Sequence, residues 1–144
     1  MAAAAAEAAS AFITVRLLAA EAATPAEVLA ADGFLFAAPE NLAALSGPMK
    51  DFFDRCYYPA LGAIEGRPYA TLISAGSDGE NAARQIARIA TGWRLRPIAD
   101  PLIVCTKAQT PAAILAPKVV SGDDLARCAE LGAAMGAGLE AGIF

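Results

Sequence analysis

The segment Gly33 to Ala38 sets the terms for the rest of the chain. It is short, apolar and rich in Phe, with Asp32 before it and Pro39-Glu40-Asn41 after it. A run that brief between turn residues fits a strand buried on both faces, and such a strand needs a sheet covered by helices on two sides. The residues that follow supply one of those helices. Met49, Phe52, Phe53, Cys56 and Tyr57 recur at i, i+3, i+4, i+7 and i+8, which makes one apolar face. Ser46 is the expected cap, and Pro48 is tolerated in the first turn because its missing N–H would have no partner there. Lys50–Asp54 and Asp51–Arg55 stand at i, i+4 on the solvated side. Pro59 is expected to end the helix.

The remaining segments alternate in the same way. Met1 to Ala9 has high helix propensity and no apolar stripe. Phe12 to Leu18 is partly alternating and β-branched, and is expected to form a strand. Thr24-Pro25-Ala26-Glu27 has the cap, the first-turn Pro and the acid of a helix start, for a short helix to about Ala30. Tyr69 to Ser74 reads as the next strand. A helix follows it, with Ser77 and Glu80 at capping-box spacing and Ala82, Ile86, Ile89, Ala90 and Trp93 on one face. Leu95 to Ile98 is extended and Pro101 to Cys105 is the last buried strand. Thr110-Pro111 opens a short helix limited by Pro117. The longest helix runs from Asp123 to about Glu140, with Leu125, Cys128, Leu131, Gly132, Met135 and Leu139 inward. Strands separated by helices argue for an α/β layer fold with a mainly parallel sheet. No repeat or linker suggests a second domain, so residues 1–144 are expected to form one.

Composition narrows the chemistry. The chain holds no His, so neither a Ser–His nor a Cys–His nucleophile pair can be assembled within it, and zinc loses its commonest nitrogen ligand. A bound cofactor would have to do the chemistry of any enzyme built on it. Three widely spaced cysteines, Cys56, Cys105 and Cys128, form no metal or dithiol motif and read as small core residues; a cytoplasmic setting is expected from this. A net charge of −4 gives no reason to expect nucleic acid. No apolar run reaches the roughly 20 residues of a membrane span, and the Ala-rich head lacks the basic start of a signal peptide. Gly132 and Gly136 form G-x-x-x-G, which in a soluble chain signals close helix packing.

Open parallel sheets bind ligands beyond the carboxyl ends of their strands. Two loops are expected there, Pro39 to Leu45 and Ser74 to Gly79. Gly76 and Gly79 permit close backbone approach, and the helix start after them offers free N–H groups to an electron-rich ligand. The same residues also suit a plain capped turn. Glu40 reads either as an acid or as an exposed loop carboxylate, and Asp78 as a turn residue. Arg84, Arg88, Arg94 and Arg96 form either a nucleotide-phosphate patch or, more simply, a solvated face.

The run Pro39-Glu40-Asn41-Leu42-Ala43-Ala44-Leu45-Ser46-Gly47-Pro48-Met49-Lys50 resembles the flavin-facing loop of the flavodoxin-like NAD(P)H-dependent FMN and quinone reductases. Those proteins carry Pro, then Thr or Glu, a mid-loop Gly, and Met/Leu-Lys/Arg opening a helix; here Ala43 stands in the place of that Gly. The resemblance implies a flavodoxin-like three-layer sandwich. It implies FMN as cofactor, NAD(P)H as co-substrate and a quinone, free flavin or similar small molecule as electron acceptor. It places Pro39, Glu40, Asn41, Leu42, Ala43 and Ala44 on one side of the flavin and Gly76, Ser77 and Asp78 at its other edge. No residue of the chain is expected to be catalytic in its own right. Relatives begin with a strand and a Ser/Thr- and Gly-containing loop that holds the FMN phosphate, and nothing of that kind precedes Phe12. The first strand is therefore expected to be absent, either because the fold is shortened or because its start lies upstream of Met1. In the order 2-1-3-4-5 its slot would lie between the Phe12 and Gly33 strands. Two outcomes are expected for that gap: the Phe12 strand moves inward, or a second copy covers it as a homo-oligomer. The rivals to the reductase are a cofactor-free binding module and a flavodoxin-type electron carrier.

Overall fold

A computed structural model describes residues 1–144. The Phe-rich run becomes strand β1 (Phe34–Asn41), which pairs in parallel with β3 (Pro68–Ala75) from Phe34↔Tyr69 to Pro39↔Ser74. The short strands β4 (Arg96–Pro97) and β5 (Leu102–Cys105) lie end to end along the other edge of β3, both parallel to it. A two-residue strand, β2 (Ala44–Leu45), turns back antiparallel on the last residues of β1. The sheet is thus mostly parallel, as the alternation of segments predicts.

Helices cover both faces. On one side lie α2 (Pro25–Ala30), α3 (Gly47–Ala60) and α4 (Glu80–Gly92); on the other, α1 (Ala2–Ala9) and α6 (Gly122–Glu140). A fifth short helix, α5 (Pro111–Leu115), has Thr110 Oγ1 accepting from the Ala113 amide as its cap. The period-2 pattern of the strands divides the core. Phe34, Phe36 and Ala38 of β1 and Tyr69, Ile73 and Ala75 of β3 face α3 and α4, whereas Leu35, Ala37 and Leu72 face α1 and α6. Phe36 is the hub of the larger half, with the rings of Phe53 at 5.0 Å, Tyr69 at 6.0 Å and Trp93 at 6.5 Å, the first and last edge-on.

The smaller half depends on glycine. A Cβ at Gly132 would lie 2.0 Å from the Ala5 carbonyl oxygen, and one at Gly136 would lie 2.8 Å from that of Ala9. Helices α1 and α6 therefore meet backbone to backbone through the G-x-x-x-G step, with the alanines of α1 supplying the other flat surface. Cys56 and Cys128 are buried, as expected, and burial pushes both thiols above the usual range.

Four expectations are corrected. Phe12 to Leu18 forms no strand: Ile13 still bonds back to Ala9, and Thr14 to Leu18 make no main-chain hydrogen bonds to one another or to β1. Its β propensity has no paired neighbour to act on. Pro59 lies inside α3 in the penultimate position and does not stop it. Pro39 to Asn41 belong to β1, not to a loop. Cys105 is exposed at the end of β5, its Sγ donating to the Asp78 carbonyl at 3.3 Å.

Candidate functional site

The carboxyl ends of β1, β3 and β5 bring three loops together. The first is a hairpin. Asn41 pairs with Ala44, so Leu42 and Ala43 are the two turn residues, with φ of +51° and +56°. Positive φ at both central positions is the requirement of the hairpin turn that matches strand twist, usually met by Asn-Gly. A Gly at position 43 would meet this φ without steric cost, whereas Ala bears about 1–2 kcal/mol. Leu42 is wholly exposed and packs on nothing. Replacing both, as Leu42→Asn with Ala43→Gly, is expected to stabilise the protein by about 1–2 kcal/mol. A thermal melt of the double variant that is unchanged or lower than the parent's contradicts this.

The second loop is Gly76 to Gly79. The cap of α4 is not the Ser77–Glu80 box that the spacing suggests; the N-cap is Gly79, in the left-handed region at φ +92°. A side chain from β1 does the capping. The Glu40 carboxylate accepts from the Gly79 amide at 2.9 Å and from the Ala82 amide at 3.0 Å, and Asp78 Oδ1 accepts from the Glu80 amide at 3.3 Å. Glu40 is therefore neither a solvent-facing loop carboxylate nor an acid aimed outward. It is partly buried and holds a helix end, favourably placed against the helix dipole. Two further bonds fasten the hairpin to the same helix: the Leu45 amide donates to Gln85 Oε1 at 2.7 Å, and Asn81 Nδ2 donates to the Ala43 carbonyl at 2.5 Å. Helix α4 thus fixes the hairpin and the glycine loop relative to each other.

The two glycines of that loop do different work. Gly79 serves packing as well as conformation, for a Cβ there would lie 2.5 Å from Ile103 Cγ2. Gly76 does neither; a Cβ would meet only the Ala108 carbonyl, at 3.4 Å. The amides of Gly76, Ser77 and Asp78 take part in no hydrogen bond within the chain. They are the donors available to a ligand, and Ser77 and Asp78 are exposed.

The third loop, Thr106 to Gln109, escapes sequence reading. The Thr106 amide donates to the Ala75 carbonyl at 2.8 Å, which draws the loop against Gly76, and Lys107 has φ +55°. The one available signal was position: a Lys directly beyond the last buried strand of a parallel sheet. Of the expected site residues, Pro39 to Ala44 and Gly76 to Asp78 do converge, joined through Glu40 and Asn81. The arginines do not gather into one patch: Arg84 donates to Asn81 beside the hairpin, whereas Arg94 pairs with Glu65 at 3.1 Å and Arg96 lies over the Phe144 ring.

A cavity of about 1140 Å³ lies elsewhere, along the free edge of β1 between Gly33 and Ala37. The three loops do not line it.

Residues 19–110 match the family described as NADPH-dependent FMN reductase. No curated protein matches the chain in sequence. Among solved structures, the chain is similar to a flavodoxin from the domain Archaea, with a TM-score of 0.74 at 17% identity over 96% of this chain and 87% of that one. It is similar to a flavodoxin, WrbA-like protein from Agrobacterium tumefaciens, with a TM-score of 0.74 at 18% identity over 97% and 87%. It also resembles part of rubredoxin oxygen:oxidoreductase from Desulfovibrio gigas, with a TM-score of 0.76 at 16% identity, covering 99% of this chain and 33% of that protein. At these identities the likeness establishes the flavodoxin-like fold.

Proposed function

Because the chain belongs to the NADPH-dependent FMN reductase family, we propose that residues 1–144 act as one flavin-binding domain, with the ring of FMN between Pro39–Ala44 and Gly76–Asp78. The observation that carries this reading is the set of unbonded amides at Gly76, Ser77 and Asp78, held opposite the hairpin by Glu40 and Asn81. Bound flavin would supply the redox chemistry, accepting hydride from NAD(P)H and passing electrons to a quinone, free flavin or similar small acceptor. The chain's own residues bind and orient. The amides of Gly76 to Asp78 donate toward an electron-rich ring edge, and Glu40 keeps both loops at a fixed separation by holding the end of α4. A cytoplasmic enzyme acting as a homo-oligomer is part of the same reading.

The residues fit the ring better than they fit the phosphate. The amino end of α4, which follows the glycine loop, already carries the Glu40 carboxylate on the Gly79 and Ala82 amides, and a second anion would meet that charge. A phosphate held elsewhere would add several charge-assisted hydrogen bonds, each worth about 1.5–3 kcal/mol. Without them FMN and riboflavin should bind alike. Titration of the protein with each flavin, followed by quenching of flavin fluorescence, is expected to give Kd values within roughly threefold of one another and far above micromolar, since each 1.4 kcal/mol is tenfold in affinity. Submicromolar FMN binding with a large preference over riboflavin contradicts this account of the phosphate. Absence of binding by either flavin removes the flavin reading and favours the cofactor-free binding module, which the closed end of α4 also suits. Binding of both without NAD(P)H oxidation favours the electron carrier.

A further inference from the structure

Of the eleven cationic side chains, only Lys107 and Arg88 have no hydrogen bond, ion pair or aromatic ring as a partner in the chain. Arg88 is exposed well along α4, an ordinary solvated position. Lys107 stands at the site. Its neighbours on both sides are held against the glycine loop. The Thr106 amide and hydroxyl donate to the Ala75 carbonyl at 2.8 and 3.2 Å, and the Ala108 carbonyl lies 3.4 Å from where a Gly76 Cβ would stand. Cys105 Sγ, on the Asp78 carbonyl, adds a third tie. Lys107 has φ +55°, so three of the four non-glycine residues with positive φ, Leu42, Ala43 and Lys107, lie in loops of the site. Strain of this kind persists only where the surroundings over-determine it, and it gathers at ligand sites. The carboxylates of the two facing loops are engaged elsewhere, Glu40 on the Gly79 and Ala82 amides and Asp78 on the Glu80 amide. The Lys107 ammonium is therefore an unneutralised positive charge on a loop fastened beside three unbonded amides.

We propose that Lys107 is a specificity-determining residue that makes the site bind reduced flavin, an anion, in preference to the neutral oxidised form, and so raises the potential of the bound ring. The inference rests on the flavin reading given above. Its basis is charge. A hydride, donated by NAD(P)H, brings two electrons and one proton to a neutral ring and leaves one negative charge on it. The Gly76, Ser77 and Asp78 amides donate toward an electron-rich edge, so the amides and the ammonium favour the same form. A lysine suits the task because its charge is a compact point on a flexible four-carbon stem, able to close on an edge that the rigid amides have positioned. A neutral side chain at position 107 would leave the amides in place but offer the two redox forms no difference in charge attraction. The left-handed backbone is then the cost of presenting this side chain from a loop pinned on both sides.

The test measures FMN binding to the full chain in both redox states, by equilibrium dialysis in air and under nitrogen with dithionite. The phosphate is common to both states and cancels from the ratio of Kd values. The parent is expected to bind the reduced form at least tenfold more tightly. Lys107→Met is expected to lose about tenfold of that preference, which by linkage lowers the potential of the bound flavin by about 30 mV. Lys107→Arg retains the charge and is expected to keep the ratio within about threefold of the parent's. High salt should narrow the preference of the parent and leave that of Lys107→Met unchanged. Lys107→Gly relieves the positive φ; it is expected to melt no lower than the parent and still to lose the preference, which separates the effect from unfolding. Arg88→Met removes the same charge away from the loops and should leave the ratio as it is. Equal preference in the parent and Lys107→Met overturns the proposal while the flavin reading stands. An equal loss of affinity for both forms would make Lys107 a general anchor, and an equal effect of Arg88→Met would make the preference one of net charge; either overturns it too. Binding of neither form removes the flavin reading and this inference with it.

Discussion

Replacing Gly132 by Ala is expected to undock α1 and lower the stability of the protein by about 2–3 kcal/mol, within the range for overpacking a close contact. The added methyl would stand 2.0 Å from the Ala5 carbonyl oxygen and 2.7 Å from its Cα, both backbone atoms, so no rotamer change can make room. The helices must separate, and the rest of their interface goes with them. The effect runs against helix propensity, which by itself favours Ala over Gly by about 1 kcal/mol in a helix interior. That opposition supplies an internal control. Gly92, in the last turn of α4, has nothing within 4 Å of its would-be Cβ. Gly92→Ala is expected to leave the melting temperature unchanged or raise it, while Gly132→Ala lowers it by several degrees. Equal melting of the two variants would mean that the close approach of α1 to α6 contributes nothing.

The second large effect is at Gly79. An Ala there would hold a φ of +92° that L-residues avoid and would press its methyl to 2.5 Å from Ile103 Cγ2. Left-handed backbone costs about 1–2 kcal/mol and the clash about 1–3 kcal/mol, so a loss of about 2–5 kcal/mol is expected. The two parts can be separated. Ile103→Ala removes the clashing methyl but not the backbone strain, so Gly79→Ala should cost less in that background than in the parent. Chemical denaturation of the four-member cycle measures the coupling. Additivity would place the whole effect in the backbone. Because Gly79 donates to Glu40, the same variant should also loosen the glycine loop against the hairpin, and flavin affinity would fall with it.

Much of this architecture is legible in the residues because it is set locally. The Phe run before Pro39 and the 3.6-residue spacing of Met49, Phe52, Phe53 and Cys56 identify β1 and α3, and G-x-x-x-G correctly anticipates a backbone-close helix contact. The turns beyond the carboxyl ends of β1 and β3 likewise follow from strand order, although Pro39 to Asn41 extend β1 itself. What escaped depends on partners distant in sequence. The cap of α4 comes from Glu40, far upstream, while a plausible local cap at Ser77 goes unused. The hairpin at Leu42-Ala43 is hidden because neither residue favours the positive φ that it adopts. Phe12 to Leu18 has the composition of a strand but pairs with no other strand, and propensity without pairing does not fix structure. Cys105 resembles the other two cysteines in sequence and differs only in lying where its strand runs out.

The contact between α1 and α6 also bears on the order in which the molecule assembles. Ala5 and Gly132 stand near opposite ends of the chain, and their approach closes a loop containing the whole sheet. The entropy of that closure must be met before the contact returns anything, and contacts of such high sequence separation slow folding. The early nucleus then lies among Phe36, Phe52, Phe53 and Trp93, all drawn from segments between Phe34 and Trp93. Helix α1, although first in sequence, docks mainly on α6, so it is expected to join late, and its attachment then reports on completion of the fold.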